Sequence, residues 1–181
     1  MSLQQLLLIA AAALLMFWVL GAHNRLVALR NAIIEAWQQL DEPLQRRAAA
    51  LGALADALRA HLPDEGGAFD AVRAALTQLH RAVDALRARP ALAPRAAAFR
   101  AADGVLAAAQ SRLLALVEQH RELATADDMA AHLATLRDAA QRQQFARQLF
   151  NDAVCRYNDA ARQFPTRLLA GLFGFGTAGT L

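Results

Sequence analysis

The chain has 181 residues, 56% hydrophobic and 19% charged, with 9 Gly, 5 Pro and 1 Cys. This composition excludes a disordered chain, a collagen-like or loop-rich sandwich class, a disulfide framework and a cysteine-based zinc site. All 19 basic residues are Arg, yet the net charge is only +3, too small for a strongly electropositive surface. Alanine, at about a quarter of the chain, favours helix.

The first element is an apolar run. Leu6 to Ala22 reads LLLIAAAALLMFWVLGA, without charge or proline. At about 17 residues it meets the lower limit for a spanning helix, and Leu3, Gln4 and Gln5 extend it by a turn. Trp18 near its far end suits a membrane interface. A cleaved signal peptide is the competing reading, but it needs a basic leading segment and a small-x-small cleavage site. Met1 to Gln5 carry no base, Leu20 stands at the −3 position, and no cysteine follows for lipoprotein processing. The expectation is an uncleaved anchor over residues 1–22. Arg25 and Arg30 flank one side only, so the positive-inside rule places the rest of the chain in the cytoplasm.

Helix 1 continues from the anchor without a break signal. Leu26, Val27, Leu29, Ile33, Ile34, Trp37 and Leu40 recur at helical spacing, and the pattern resumes at Leu44, Leu51, Leu54, Leu58 and Leu62. Pro43 between the two runs predicts a kink. Pro63-Asp64-Glu65-Gly66-Gly67 is the first turn. Helix 2 is expected over 68–89, and helix 3 over 95–121 after Pro90 and Pro94. A break follows at 122–126. Helix 4, with Asp127 as N-cap, is expected to run to Phe164 and stop at Pro165. No stretch alternates with period two, so no sheet is expected.

At 1.5 Å per residue, helix 1 beyond the anchor spans about 58 Å and helix 4 about 55 Å, against about 33 and 40 Å for helices 2 and 3. Four helices therefore pack far from the membrane, and helices 1 and 4 alone form a stalk near it. The fold class is all-α, an N-terminal transmembrane helix continuous with a long-helix antiparallel four-helix bundle. The expected parts are the anchor, 1–22, the bundle, 23–165, and an apolar Gly-rich tail, 166–181.

Several runs of residues resemble a known family. Asn24-Arg25-Leu26-Val27-Ala28-Leu29-Arg30, Ala36-Trp37, Leu40-Asp41 and Leu44-Gln45-Arg46-Arg47 resemble the opening motifs of the LemA family. Ala146-Arg147, Phe150-Asn151, Val154, Tyr157-Asn158 and Phe164-Pro165, then Leu168, Ala170 and Gly174-Phe175, resemble its closing motifs. His23 and Phe150 stand where the family pattern has Tyr, and Pro43 lies outside that pattern. The resemblance implies a bacterial single-pass membrane protein with a long-helix bundle. It implies no activity.

The residues themselves point away from catalysis. None of the five Glu has His three residues later, as a di-iron bundle needs. His80/Asp84 and Asp128/His132 are i,i+4 pairs of a kind that arises by chance on helical surfaces. Cys155 is expected as a buried structural thiol. Phosphate loops, nucleophile elbows and zinc-protease helices are absent, and Arg46-Arg47 is too small a cluster for nucleic acid. The expectation is no cofactor, no metal, no nucleic acid and no small-molecule substrate. The expected role is a scaffold or interaction module at the bacterial inner membrane, with the lipid bilayer, another membrane or envelope protein, or a second copy as partner. A bundle that passes a conformational signal across the membrane is the alternative.

Two placements follow. Asn24 and Asn31, like Asn151 and Asn158, are seven residues apart and share a helix face. In-register antiparallel packing of helices 1 and 4 sets Asn24 opposite Asn158, Asn31 opposite Asn151 and Trp37 beside Phe145; otherwise all four amides face water. In this reading Leu26, Leu29, Ile33, Phe150, Val154 and Tyr157 leave apolar stalk surface uncovered. The tail emerges at headgroup depth, where Leu168, Leu169, Leu172, Phe173 and Phe175 enter the interface and Arg162 and Arg167 reach lipid phosphates. The alternative is a tail that folds back on the bundle or stays disordered.

Overall fold

A computed structural model describes residues 2–124 and 127–181. Helix α1, Leu3–His61, is continuous over 59 residues. Ser2 starts it with a capping box: its hydroxyl accepts from the Gln5 N–H, and its own N–H donates to Gln5 Oε1 at 3.0 Å. Near its start the large apolar side chains point outward, Leu6, Leu7, Leu8, Ile9, Leu14, Leu15, Met16 and Phe17 among them. One 18-residue window has a mean hydropathy of 2.3 and no buried residue, so the helix is long and apolar enough there to cross a membrane.

From Leu26 onward α1 acquires a buried stripe of Leu26, Ile33, Trp37, Leu40, Leu44, Leu51, Leu54 and Leu58. The three- and four-residue spacing keeps these side chains on one face. α1 runs through Pro43, which is buried in the bundle.

A 3-10 turn, Pro63–Glu65, reverses the chain into α2, Gly66–Ala88. Ion pairs Arg59–Asp70, Arg73–Asp56 at 2.9 Å and Arg87–Asp41 at 2.8 Å fix the antiparallel register of α2 on α1. They are exposed for the most part and mark register more than stability. Helix α3, Ala93–Gln119, starts with Pro94 in its first turn and returns along α2. The single turn α4, Arg121–Ala124, leads to α5, Asp127–Arg162, which descends along α1. Thr125, Ala126 and the cap expected from the Asp127 side chain lie outside the described residues. Helix α6, Thr166–Leu172, follows Pro165 and touches both α5 and α1. No strand occurs among the described residues.

The bundle is two close pairs, α1 with α5 and α2 with α3, joined across an aromatic core. Trp37 meets Phe99 of α3 and Phe150 of α5 edge-on, at centroid distances of 6.0 and 6.3 Å. The expected neighbour, Phe145, is instead exposed. The register of α5 on α1 is shifted by more than one turn, because the core aromatics set it and the asparagines do not.

The stalk also departs from expectation. Leu26, Ile33, Phe150, Val154 and Tyr157 are buried and only Leu29 is half-buried, so the uncovered apolar patch is not there. The C-terminal residues account for this. At the end of α6, Gly174 takes φ +69° and the Phe175 N–H bonds the Ala170 carbonyl at 2.9 Å, a Schellman stop that only glycine adopts without strain. The chain then turns back up the stalk, and Ala178 and Leu181 join the core. The expected boundary at 165/166 therefore separates nothing, since Leu169, Ala170, Ala178 and Leu181 are buried with the bundle. Deleting residues 175–181 should remove about 3 kcal/mol, two or three apolar side chains less their ordering cost. Thermal unfolding in detergent should show Tm lower by about 6–12 °C.

Candidate functional site

Two polar constellations lie inside the bundle. The first centres on Arg47, which occupies a core position between Leu44 and Leu51 and is 7% exposed. Its Nη1 donates to Asp103 Oδ1 at 2.7 Å and to Gln143 Oε1 at 3.2 Å, and its Nε donates to Gln110 Oε1 at 2.9 Å. Arg147 donates to the other Asp103 oxygen at 3.5 Å. The buried guanidinium thus joins α1, α3 and α5 and satisfies the buried Asp103 carboxylate. Buried charges persist only when paired and hydrogen-bonded in this way. The arrangement holds helices together. It presents no free nucleophile, and its acid is fully engaged.

The second constellation receives the C-terminal segment. Asn158 Nδ2 donates to the Ala178 carbonyl at 2.9 Å, and its Oδ1 accepts from the Ala178 N–H at 2.9 Å. Asn151 repeats the pattern on Leu181, with distances of 2.9 and 2.7 Å. At the near end of the segment Tyr157 donates its hydroxyl hydrogen to the Gly176 carbonyl at 2.9 Å. The geometry follows from two rises. Seven helical residues cover about 10.5 Å, and three residues of extended chain cover about 9–10 Å. Two amides at i and i+7 therefore meet two backbone sites three residues apart on an antiparallel segment.

The far side of this strap lies against α3. Arg100 Nη1 donates to the Thr180 carbonyl. A Cβ on Gly179 would stand 2.8 Å from both Ala93 Cα and Ala96 Cβ, so the residue there must be glycine for the backbone to approach.

These bonds correct the interhelix asparagine pairing. Asn151 and Asn158 bind strap backbone, while Asn24 and Asn31 are exposed. The i,i+7 spacing on α5 carries meaning, but the partner is a peptide backbone that sequence periodicity does not reveal. The five tail residues separate. Leu169 is buried and Phe175 half-buried, so both serve the bundle, while Leu168, Leu172 and Phe173 remain exposed. Cys155, expected to be buried, is exposed.

Sequence reading missed the Arg47–Asp103 pair, although both residues stand in apolar stripes, Asp103 between Phe99 and Leu106. Among the described residues, no group of three or more His, Cys, Asp or Glu side chains gathers as metal ligands. His80 and Asp84 line an open groove on α2, where Asp84 is held by Arg87 at 2.9 Å.

A comparison against family models finds a match. The model described as the LemA family matches residues 36–181. The chain belongs to the LemA family. The matched span includes Arg47, both clamp asparagines and the strap to Leu181, so each lies within the LemA region of this chain. No curated protein matches the chain.

Burial pushes the Tyr157 phenol above its ordinary 10.0, and the nearby positive charge of Arg30 partly opposes the rise. A raised phenol value means that the fold favours the neutral form. The contribution is full below about pH 10 and is lost as pH rises through the folded-state value. The Tm in detergent should therefore fall as pH rises above about 10 in the wild type, and should fall less steeply in Tyr157→Phe. Asn158→Ala leaves the Ala178 N–H and carbonyl unpaired and should cost about 1–3 kcal/mol, read as faster amide hydrogen exchange at that end of the strap. Arg47→Met should cost about 3–5 kcal/mol in denaturant unfolding, because Asp103 loses its closest partner. Arg47→Met combined with Asp103→Leu should recover most of that loss.

Proposed function

We propose that this LemA-family chain is a single-pass membrane protein without enzymatic activity, whose bundle serves as a scaffold or interaction module at the bacterial membrane. The observation that carries the reading is the change of character along one unbroken helix. α1 exposes its apolar side chains over the first turns and buries a regular apolar stripe from Leu26 on. Large exposed apolar surface in water is costly, and a bilayer is the solvent that such a helix suits. The buried polar residues of the bundle are spent on its own closure. Arg47, Asp103, Asn151 and Asn158 each bond within the chain, as a structural module requires.

The continuity of α1 also favours a second reading, in which a tilt of the anchor is carried into the bundle as a signal. A flexible Gly-Ser insertion after Ala22 separates the two. A scaffold keeps its crosslinked partners with the insertion, and a transducer loses its output.

The anchor is tested by extracting membranes with alkaline carbonate. The wild-type chain should stay in the pellet. Leu8→Arg with Leu14→Arg places two charges in the span at about 2.5–3.5 kcal/mol each and should shift the chain into the soluble fraction. Wild-type chain in the supernatant would overturn the reading. Crosslinking in intact membranes then identifies the partner.

A further inference from the structure

We infer that α6 and the residues beside it form a second membrane contact, a foot that sits in the lipid interface beside the anchor with its arginines on anionic headgroups. The inference rests on the reading of α1 as a membrane anchor and goes beyond it, since a single span needs no second contact.

Four large apolar side chains are gathered where the stalk ends. Phe164 is 73% exposed, Leu168 59%, Leu172 82% and Phe173 53%. Leu168 and Leu172 stand one turn apart and form an exposed strip of α6 beside its buried Leu169 and Ala170. The foot is therefore two-sided. One face belongs to the bundle core, and the other is apolar and open.

Its height along α1 is fixed by contacts. The His23 ring meets Phe173 edge-on at 5.1 Å and Phe175 at 5.5 Å. His23 directly follows the uncharged run that ends at Ala22. Trp18, Val19, Ala22 and His23 are half-buried, on the face where α1 receives α6, in contrast to the exposed turns before them. The open apolar face thus lies level with the end of the proposed span.

Charge agrees with a lipid surface. The α1–α5 register that pairs Trp37 with Phe150 and brings Arg30 near Tyr157 sets Arg25 level with Arg162. With Arg167 these arginines are exposed around the foot. Between Ser2 and Ile34, and between Phe164 and Leu181, the chain has no Asp or Glu, and Asp159 is the nearest acid on α5. Apolar side chains bordered by Arg, without interspersed acid, match the acyl boundary and phosphate layer of an anionic bilayer. A protein partner at this spot would itself have to lie at the membrane surface.

The test uses the full chain in vesicles of phosphatidylglycerol and phosphatidylethanolamine. Cys155→Ser removes the native thiol, and single cysteines at Leu168, at Leu172 and, as reference, at Leu14 carry a nitroxide. A label at the native Cys155 reports the aqueous stalk. Accessibility to oxygen relative to a water-soluble nickel complex measures depth. Labels at 168 and 172 should show an oxygen-to-nickel ratio several-fold above that at 155 and below that at 14. The ratio should fall toward the value at 155 when Arg162 and Arg167 are both changed to Glu. Labels at 168 and 172 as nickel-accessible as at 155, with 14 in hydrocarbon, would overturn the foot and leave the anchor standing. A nickel-accessible label at 14 overturns both. Labels shielded from oxygen and nickel alike would mean that protein, such as a second copy, covers the face, and would also overturn the inference.

Discussion

Two helices outlast the two that flank them, and the rest of the structure answers to that inequality. α1 and α5 continue toward the apolar N-terminal stretch of α1 after α2 and α3 have turned around near Pro90. Beyond that level each long helix still carries an apolar stripe, and a pair of helices can hide only the contact strip between them. Leu26, Ile33, Val154 and Tyr157 would face water. The C-terminal segment supplies the missing wall, an extended strap laid along the pair where a helix hairpin no longer reaches.

An extended strap brings its own difficulty. Its backbone N–H and carbonyl groups have no helix or sheet to satisfy them, and burying them unpaired costs more than the apolar contacts return. Helix α5 has no free backbone groups to offer. Side-chain amides are the natural substitute, because Asn carries a donor and an acceptor in one plane and can match both polar groups of one peptide residue. This explains two poor helix formers in the middle of a long helix, at Asn151 and Asn158. It also explains the small residues of the strap. Gly179 lies too close to Ala93 and Ala96 for any side chain, and Gly174 makes the reversal that starts the return. Because the amides read backbone, the strap's side chains are free to be chosen for packing alone.

Helix spans, the all-α class and the long–short–short–long order were legible in the sequence because hydrophobic period and proline punctuation are local signals. The predicted bounds of α2, α3 and α5 lie within two residues of those observed. Register was not legible. Equal spacing of Asn24/Asn31 and Asn151/Asn158 suggested a pairing, whereas the interdigitation of Trp37, Phe99 and Phe150 decides it, and shape complementarity across three helices leaves no trace in spacing. The buried Arg47–Asp103 pair was half legible. An Arg between Leu44 and Leu51 breaks the apolar stripe, and so does an Asp between Phe99 and Leu106, but nothing local pairs two such breaks 56 positions apart. The fold-back of the tail was invisible for a similar reason. Gly-rich apolar sequence has no periodicity, and its partners are distant side chains.

The strap and the foot are one stretch of chain, and this bears on how a seven-residue helix can meet a membrane at all. An isolated helix of that length does not form in water, because nucleation costs more than one turn and a half of hydrogen bonds returns. A free tail would have to order itself on arrival at the bilayer and would lose much of its apolar gain to that ordering. α6 is already folded. Leu169 and Ala170 hold one face to the bundle, the His23 ring holds Phe173, and the Gly174 stop passes the chain into a strap fixed by both asparagines. The bundle has met the conformational cost in advance, so insertion of Leu168 and Leu172 would have only their side-chain freedom to overcome. Loosening the clamp should therefore weaken the foot without touching a lipid-facing residue, which makes Asn158 a control point for a surface beyond its own reach.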